Sequence, residues 1–373
     1  MIPFVNLVRQ RDAYRLELEK AEKEVLDSGC FIGGLQVRNL EKELTDYTGK
    51  STITCGSGTD ALTIALMALD LRPGDQVIVP DFTFIAPAEC VSILGGIPKF
   101  ADIDGQTLQI SSASVESLVN EKTVGIIAVD LFGQCAAFEK LRKIATDRGL
   151  WLIEDAAQAF GATRLINGET RKACTFGDIS ITSFYPTKPL GCYGDGGALF
   201  TSDPQLEEKI RMIANHGSAG HYDHRMVGLN SRLDALQAAI LRVKLTHLDE
   251  ELQVRRENAA KYDEFFLNGW NRTADASLQV TPQRTAPENK STFAQYTLLA
   301  ENRNAFAGKL TQAEIPFCIH YPETLRKQPC FSEILHQQVQ KNENAETAAK
   351  KAICLPVCAF TDVREILDRL NSL

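Results

Sequence analysis

Basic residues are not in excess in this sequence: 40 Lys and Arg stand against 48 Asp and Glu, a formal charge of −8. That balance leaves no cationic footprint for nucleic acid, so no nucleic-acid partner is expected. No apolar run approaches the roughly 20 residues that cross a bilayer, so no membrane-spanning helix is expected either. The opening stretch, MIPFVNLVRQRDAYRLELEK, lacks the basic and then apolar regions of an export signal. Histidine is scarce, six in all, and three of them crowd into HGSAGHYDH (216–224). Their spacing matches neither H-E-x-x-H nor a zinc ribbon, which points to a polar loop and to no metal. The ten cysteines include no C-x-x-C pair and mostly sit among apolar neighbours, as Cys55, Cys90 and Cys174 do. Reduced thiols in a cytoplasmic protein are the expectation, and Cys354 and Cys358 would bridge only in an oxidising compartment. Internal repeats and low-complexity tracts are missing as well.

What is present is an ordinary soluble composition, 44% hydrophobic and 24% charged over 373 residues, enough for a large domain and a smaller one. Helical patterns are expected over residues 11–26 and 37–47. Beyond them, short β-branched runs alternate with helices: STITC, QVIVP, IPKFADI, TVGIIAVDL and LWLIED read as strands. TDALTIALMALD (59–70), PAECVSILGG and residues 138–148 read as helices. Continuous apolar strands between helices indicate an α/β fold with a parallel or mixed sheet covered on both faces. In such sheets ligands collect beyond the carboxyl ends of the strands. A long helical stretch over 234–267 follows. FAQYTLLA and PFCIHYP then read as strands flanking a helix near 303–312, and a last helix covers 363–370. The expected division is a large domain over 1–250 and a small α+β domain over 251–373.

Three segments carry chemistry. SFYPTKPLGCYGDGG (183–197) sets Lys188 between Pro186 and Pro189, ahead of a glycine-rich turn. Proline is costly inside a helix, so this lysine sits on a rigid irregular loop with a fixed position, as a covalent or charged ligand requires. CGSGTDAL (55–62) places glycines between a strand and a helix, where free N–H groups attract phosphate; a plain helix cap with a flexible entry would look the same. WLIEDAAQAFGA (151–162) ends a strand in Glu154 and Asp155, with Gln158 just beyond. Asp155 there either faces the crevice or caps the next helix. Together, a phosphate cradle, a strand-end carboxylate and a loop-borne lysine meet the needs of pyridoxal phosphate. Its phosphate is held, its ring nitrogen stays protonated against a carboxylate, and its aldehyde is bonded to a lysine.

These segments, with PDFTFIAPAE (80–89), NHGS and GLNSRLDALQAAIL (228–241), resemble the DegT/StrS-like family of nucleotide-sugar aminotransferases over essentially the whole chain. Within it the likeness is nearest to 3-aminotransferases of UDP-2-acetamido-3-keto sugars, the glucuronate type in particular. The resemblance implies fold type I of the pyridoxal-phosphate enzymes and a cytoplasmic homodimer with shared active sites. The implied reaction moves an amino group from an amino acid, glutamate by expectation, to a ketosugar for surface polysaccharide. It implies Lys188 as the Schiff-base lysine and Asp155 as the partner of the pyridinium nitrogen. Gln158 would meet the phenolic oxygen, Phe84 would stack on the ring, and Gly58, Thr59 and Ser183 would hold the phosphate. Asn230 would reach the phosphate from the second subunit. Gly29, Phe31, Thr187, Arg232, His320 and Tyr321 would lie near the sugar, Arg232 either pairing a carboxylate or bracing the subunit interface. Two positions depart from the glucuronate enzyme: Phe31 stands where a tyrosine is usual, and Thr187 where a serine is. A 4-aminotransferase, or a regulator without catalysis, is the alternative.

Overall fold

The computed structural model describes residues 2–270, 275, 278–335 and 341–372. Its body is a seven-stranded sheet. In chain order come β1 (Ser51–Cys55), β2 (Gln76–Pro80), β3 (Ile97–Ala101), β4 (Thr123–Val129) and β5 (Trp151–Asp155). An edge hairpin follows, β6 (Thr163–Ile166) with β7 (Glu169–Lys172), and then β8 (Ile179–Ser183) and β9 (Gly197–Thr201) return to the large sheet. The order across it is β1-β9-β8-β5-β4-β2-β3. Only β9 runs against its neighbours, so β1, β2, β3, β4, β5 and β8 all end at the same edge.

The apolar runs explain why these segments are central strands. Val77, Ile78, Val79, Ile126, Ile127, Leu152 and Ile153 are wholly buried, some on each face. β-Branched side chains suit a pleated surface covered on both sides. Helices Gly58–Ala68, Ala86–Ile93 and Pro204–Ala214 cover one face; Gly34–Thr48 and Phe138–Arg148 cover the other. Beyond the sheet the helix Ala235–Glu264 runs 30 residues. Ala238, Leu241, Leu248 and Leu252 on it pack into the core beneath the large sheet. Ala259 and Tyr262 belong to a separate core under a three-stranded antiparallel sheet made of Val280–Pro282, Tyr296–Ala300 and Ala352–Leu355.

Most expected elements are where the periodicity put them, with three corrections. The helix expected over 11–26 is two, Leu7–Ala13 and Arg15–Ser28, parted at Tyr14 (φ −108°, ψ 16°). PFCIHYP is not a strand; it meets the small sheet in one bridge, Cys318 to Cys354, and then turns away toward the large sheet. The third small-sheet strand is instead Ala352–Leu355, after a helix over Glu343–Lys351 that was not foreseen. HGSAGHYDH is an exposed two-stranded hairpin loop in which His224 Nδ1 bonds the His216 carbonyl at 2.9 Å. All ten cysteines are free thiols; Cys354 and Cys358 instead lie beside the hydroxyls of Thr297 and Thr361.

Candidate active site

Because six strands end together, the segments that follow them converge on one crevice. Asp155 closes β5, Ser183 closes β8, and residues 56–58 follow β1 into the helix Gly58–Ala68. Residues 81–84 follow β2, and 130–133 follow β4. Lys188 lies five residues past β8 in a tight turn, its N–H donating to the Tyr185 carbonyl at 2.9 Å.

Asp155 is buried, and one of its oxygens accepts the Ala157 N–H at 3.0 Å, so it does cap the turn after β5 as well as face the crevice. Burial pushes its carboxyl up to about 6, against the pull of the Ala157 bond and of the Lys188 charge, while Glu154 pushes the same way as burial. Burial lowers the Lys188 ammonium and Asp155 raises it. The two groups therefore feel each other inside one low-dielectric pocket. His320 shares it: burial first, and then the Lys188 charge, keep its imidazole below the ordinary value.

Gln158 presents a donor to the same space. Its Oε1 accepts the Phe132 N–H at 2.8 Å, which orients Nε2 toward the Tyr321 hydroxyl at 3.5 Å. Phe84 is 54% exposed, unusual for a phenylalanine inside a cleft, and its ring lies 6.4 Å from that of Tyr321. An aromatic face left bare beside buried polar groups suits a flat π-system.

The anion cradle is built by close approach. A Cβ on Gly58 would stand 2.7 Å from the Ser183 Cβ, and one on Gly197 would stand 2.4 Å from the Ser57 carbonyl oxygen. Only glycine fits at either place. Ser57 caps the helix by accepting the Asp60 N–H at 3.0 Å, and the Asp60 carboxylate accepts from Ser231 Oγ at 2.6 Å. The Gly58 and Thr59 N–H groups, in the first turn of the helix, have no intrahelical acceptor, and Gly58 packs against Ser183. That cradle, the bare Phe84 face, the buried Asp155 and the lysine together fit pyridoxal phosphate.

Four expected residues have exposed side chains, although Ser231, between two of them, accepts the Gly56 N–H at 2.9 Å and so ties their segment to the cradle. Gly29, Phe31, Asn230 and Arg232 are exposed. They form one neighbourhood, since the Phe31 carbonyl accepts the Ala235 N–H at 2.9 Å and Ile32 bridges Asp234. Among the described residues, no ion pair joins these four to Lys188 or Asp155. Thr187 is exposed beside Lys188.

The sequence reading missed the braces. Asp81, fully buried, accepts the Arg326 N–H and the Asn342 amide, each at 2.8 Å, and pairs with the Arg326 guanidinium at 3.2 Å. It ties the Phe84 segment to the segment that follows Tyr321. Lys244 donates to the Gly191 carbonyl at 2.7 Å, and Gln237 accepts the Tyr193 N–H at 2.8 Å, so the long helix holds the lysine loop from behind. An aspartate at a strand end inside PDFTF was a readable signal for the first brace; nothing local marks the second.

The comparisons agree with the geometry. The DegT/DnrJ/EryC1/StrS aminotransferase family matches residues 14–369. The UDP-2-acetamido-2-deoxy-3-oxo-D-glucuronate aminotransferase of Pseudomonas aeruginosa is 40% identical over 98% of both chains. The pleiotropic regulatory protein of Geobacillus stearothermophilus is 41% identical over 98% of this chain and 95% of its own. A crystal structure of a family aminotransferase from Brucella abortus superposes with a TM-score of 0.91 at 34% identity, covering 100% of this chain and 99% of that one. The chain belongs to the DegT/DnrJ/EryC1/StrS aminotransferase family, whose members work with pyridoxal phosphate on nucleotide-linked sugars.

Proposed function

We propose that this aminotransferase moves an amino group from glutamate to C3 of a UDP-linked 2-acetamido-3-keto hexose or hexuronate, as a step toward surface polysaccharide. The observation that carries the reading is the half-buried Lys188 within electrostatic reach of the buried Asp155, beside a glycine-built phosphate cradle at the strand ends. The 3-oxo sugar in the name of the Pseudomonas relative supports C3.

Bound in this crevice, pyridoxal phosphate supplies a ring that withdraws electrons and so lets the Cα proton of the amino acid depart. The protein's residues do the rest. Lys188 Nζ would anchor the cofactor and, when free, would take up and return the Cα proton; burial lowers its affinity for a proton. Asp155 would hold the ring nitrogen's proton, Gln158 Nε2 would donate to the phenolic oxygen, and Phe84 would cover one ring face. Gly58, Thr59 and Ser183 take the phosphate. His320 and Tyr321 lie beside Lys188 and Gln158 and line the sugar side, with Thr187 at the mouth.

The surface cluster of Gly29, Phe31, Asn230 and Arg232 is read as completing the site of a second subunit, which makes the working form a homodimer. Arg232 would then meet the sugar, as a two-pronged partner if that sugar carries a carboxylate. The two cores, with the long helix between them, support a large unit over 1–250 and a small one over 251–373. The described residues contain no helix long and apolar enough to cross a membrane, and free thiols fit a reducing cytoplasm.

The test is product identification. Purified protein is incubated with glutamate and, in separate reactions, UDP-3-keto-2-acetamido sugars with and without a C6 carboxylate and a dTDP-4-keto-6-deoxy sugar. Amination of the 4-keto sugar alone would overturn the C3 assignment. The second reading, a regulator, is suggested by the name of the Geobacillus relative. A regulator has no need of Lys188; turnover that disappears in Lys188→Ala separates the two.

A further inference from the structure

Directly behind the ring-nitrogen partner lies a second pair of carboxyl groups. Glu154, next to Asp155 on β5, is fully buried and accepts three hydrogen bonds: Cys174 N–H at 2.8 Å, Phe176 N–H at 2.8 Å and Ser180 Oγ at 2.6 Å. Asp130, just past the end of β4, is also fully buried. One of its oxygens, Oδ1, accepts the Ala136 N–H at 2.8 Å; the other, Oδ2, meets no N–H or O–H donor, and the Asp130 and Glu154 carboxyl groups are hydrogen-bond neighbours. No cation forms an ion pair with either group among the described residues.

Two carboxylates cannot both be ionised at such range in a dry interior. The donor counts decide which keeps the proton. Three donors converge on Glu154, which suits an anion, whereas Asp130 has one donor and one bare oxygen, which suits an acid whose O–H points at Glu154. Burial, and then the Glu154 charge, raise Asp130 in agreement. The other titratable or charged groups facing the pair are Asp155, beside Glu154 on β5, the Cys135 and Cys174 thiols, and, acting only at a distance, Lys50.

The pair sits where it can govern the site. The Asp130 N–H donates to the Asp155 carbonyl at 2.9 Å. Two residues on, the Phe132 N–H orients the Gln158 amide at 2.8 Å. Gln109 holds the loop in between, donating to the Leu131 carbonyl at 2.9 Å. We propose that Asp130 and Glu154 share one proton and act as positioning residues, holding Asp155 and Gln158 in register for the cofactor ring. Glu154 contributes charge as well: an anion beside Asp155 makes that carboxylate more basic, so it holds the ring nitrogen's proton more firmly.

This rests on the reading of Asp155 given above, and the test separates the two. An infrared difference spectrum is recorded on full-length cofactor-loaded protein at pH 8, wild type minus Asp130→Asn. A protonated-carboxyl stretch that the variant loses is the expected result; its absence from the wild type overturns the shared proton. Asparagine imitates a protonated aspartate, with a donor toward Glu154 and an acceptor toward Ala136. Asp130→Asn should therefore keep kcat within about two-fold, while Asp130→Ala should lose roughly ten-fold in kcat with little change in donor KM. Equal losses in both variants overturn the positioning role. Separately, an Asp155→Asn variant with wild-type activity would remove the reading of Asp155 while leaving the infrared result untouched.

Discussion

The strongest opposite charge acting on Lys188 is that of Asp155, and this mutual dependence sets what single substitutions should do. On the proposed reading, Lys188→Ala removes both the anchor and the base. Turnover should fall by about 10^4-fold, with loss of the visible absorbance of the bound cofactor, measured side by side in one preparation. Asp155 gives a pH prediction whose sign is fixed by its surroundings. Burial raises its carboxyl from 3.8 to about 6, so the cofactor-free site takes up a proton as pH falls through that value. A protonated carboxyl cannot balance the ring nitrogen's charge. Apparent cofactor affinity should thus drop below pH 6, by up to about ten-fold per unit, and stay level above it. Asp155→Asn should bind more weakly and show a flat profile; fluorescence titration from pH 5 to 8 decides.

At the scale of elements, the cradle depends on two strands and a helix approaching closer than any side chain allows. Gly58→Ala drives a methyl group to within 2.7 Å of Ser183, so either the helix or the strand must shift. A crowding cost of about 1–3 kcal/mol translates into roughly 5- to 150-fold weaker cofactor binding with the fold retained, readable by equilibrium dialysis and circular dichroism. This local scale is also where the sequence was most legible. Runs such as QVIVP and TVGIIAV state their burial in their own composition, and GSGTD between a strand and a helix declares its turn. PFCIHYP misled because its apolar residues serve a different end. It leaves the small sheet after one bridge so that His320 and Tyr321 can reach Lys188 and Gln158. Its place in the sheet goes to AICL, whose register with Tyr296–Leu299 no local pattern reveals. The partners of Asp81, Arg326 and Asn342, lie 245 and 261 residues away. Distance of that kind is set by topology, and periodicity carries no trace of it.

For the whole molecule, the Asp81 brace is the seam between the Phe84 segment and the segment beyond Tyr321. Arg326 keeps Glu346 as a second partner, so Asp81→Asn costs chiefly the buried hydrogen bonds of the seam and should lose about 1–3 kcal/mol of stability at pH 7, measured by denaturant unfolding. Burial raises this carboxyl to about 6 even with Arg326 beside it. The folded state therefore binds a proton more tightly than the unfolded chain between about pH 4 and 6. This group's contribution to stability is greatest at the acid end of that window and declines as pH rises through it, a slope the asparagine variant should lack.

The 30-residue helix over Ala235–Glu264 extends the same logic along its axis. Near its start Gln237 and Lys244 grip the loop bearing Lys188; near its end Tyr262 is sealed into the other core, its hydroxyl bonded to the Pro356 carbonyl at 2.9 Å. The helix is thus a stiff rod with the loop of the proposed Schiff-base lysine at one end and a small sheet at the other, so that a tilt of the sheet would carry through as a lever's swing to that loop.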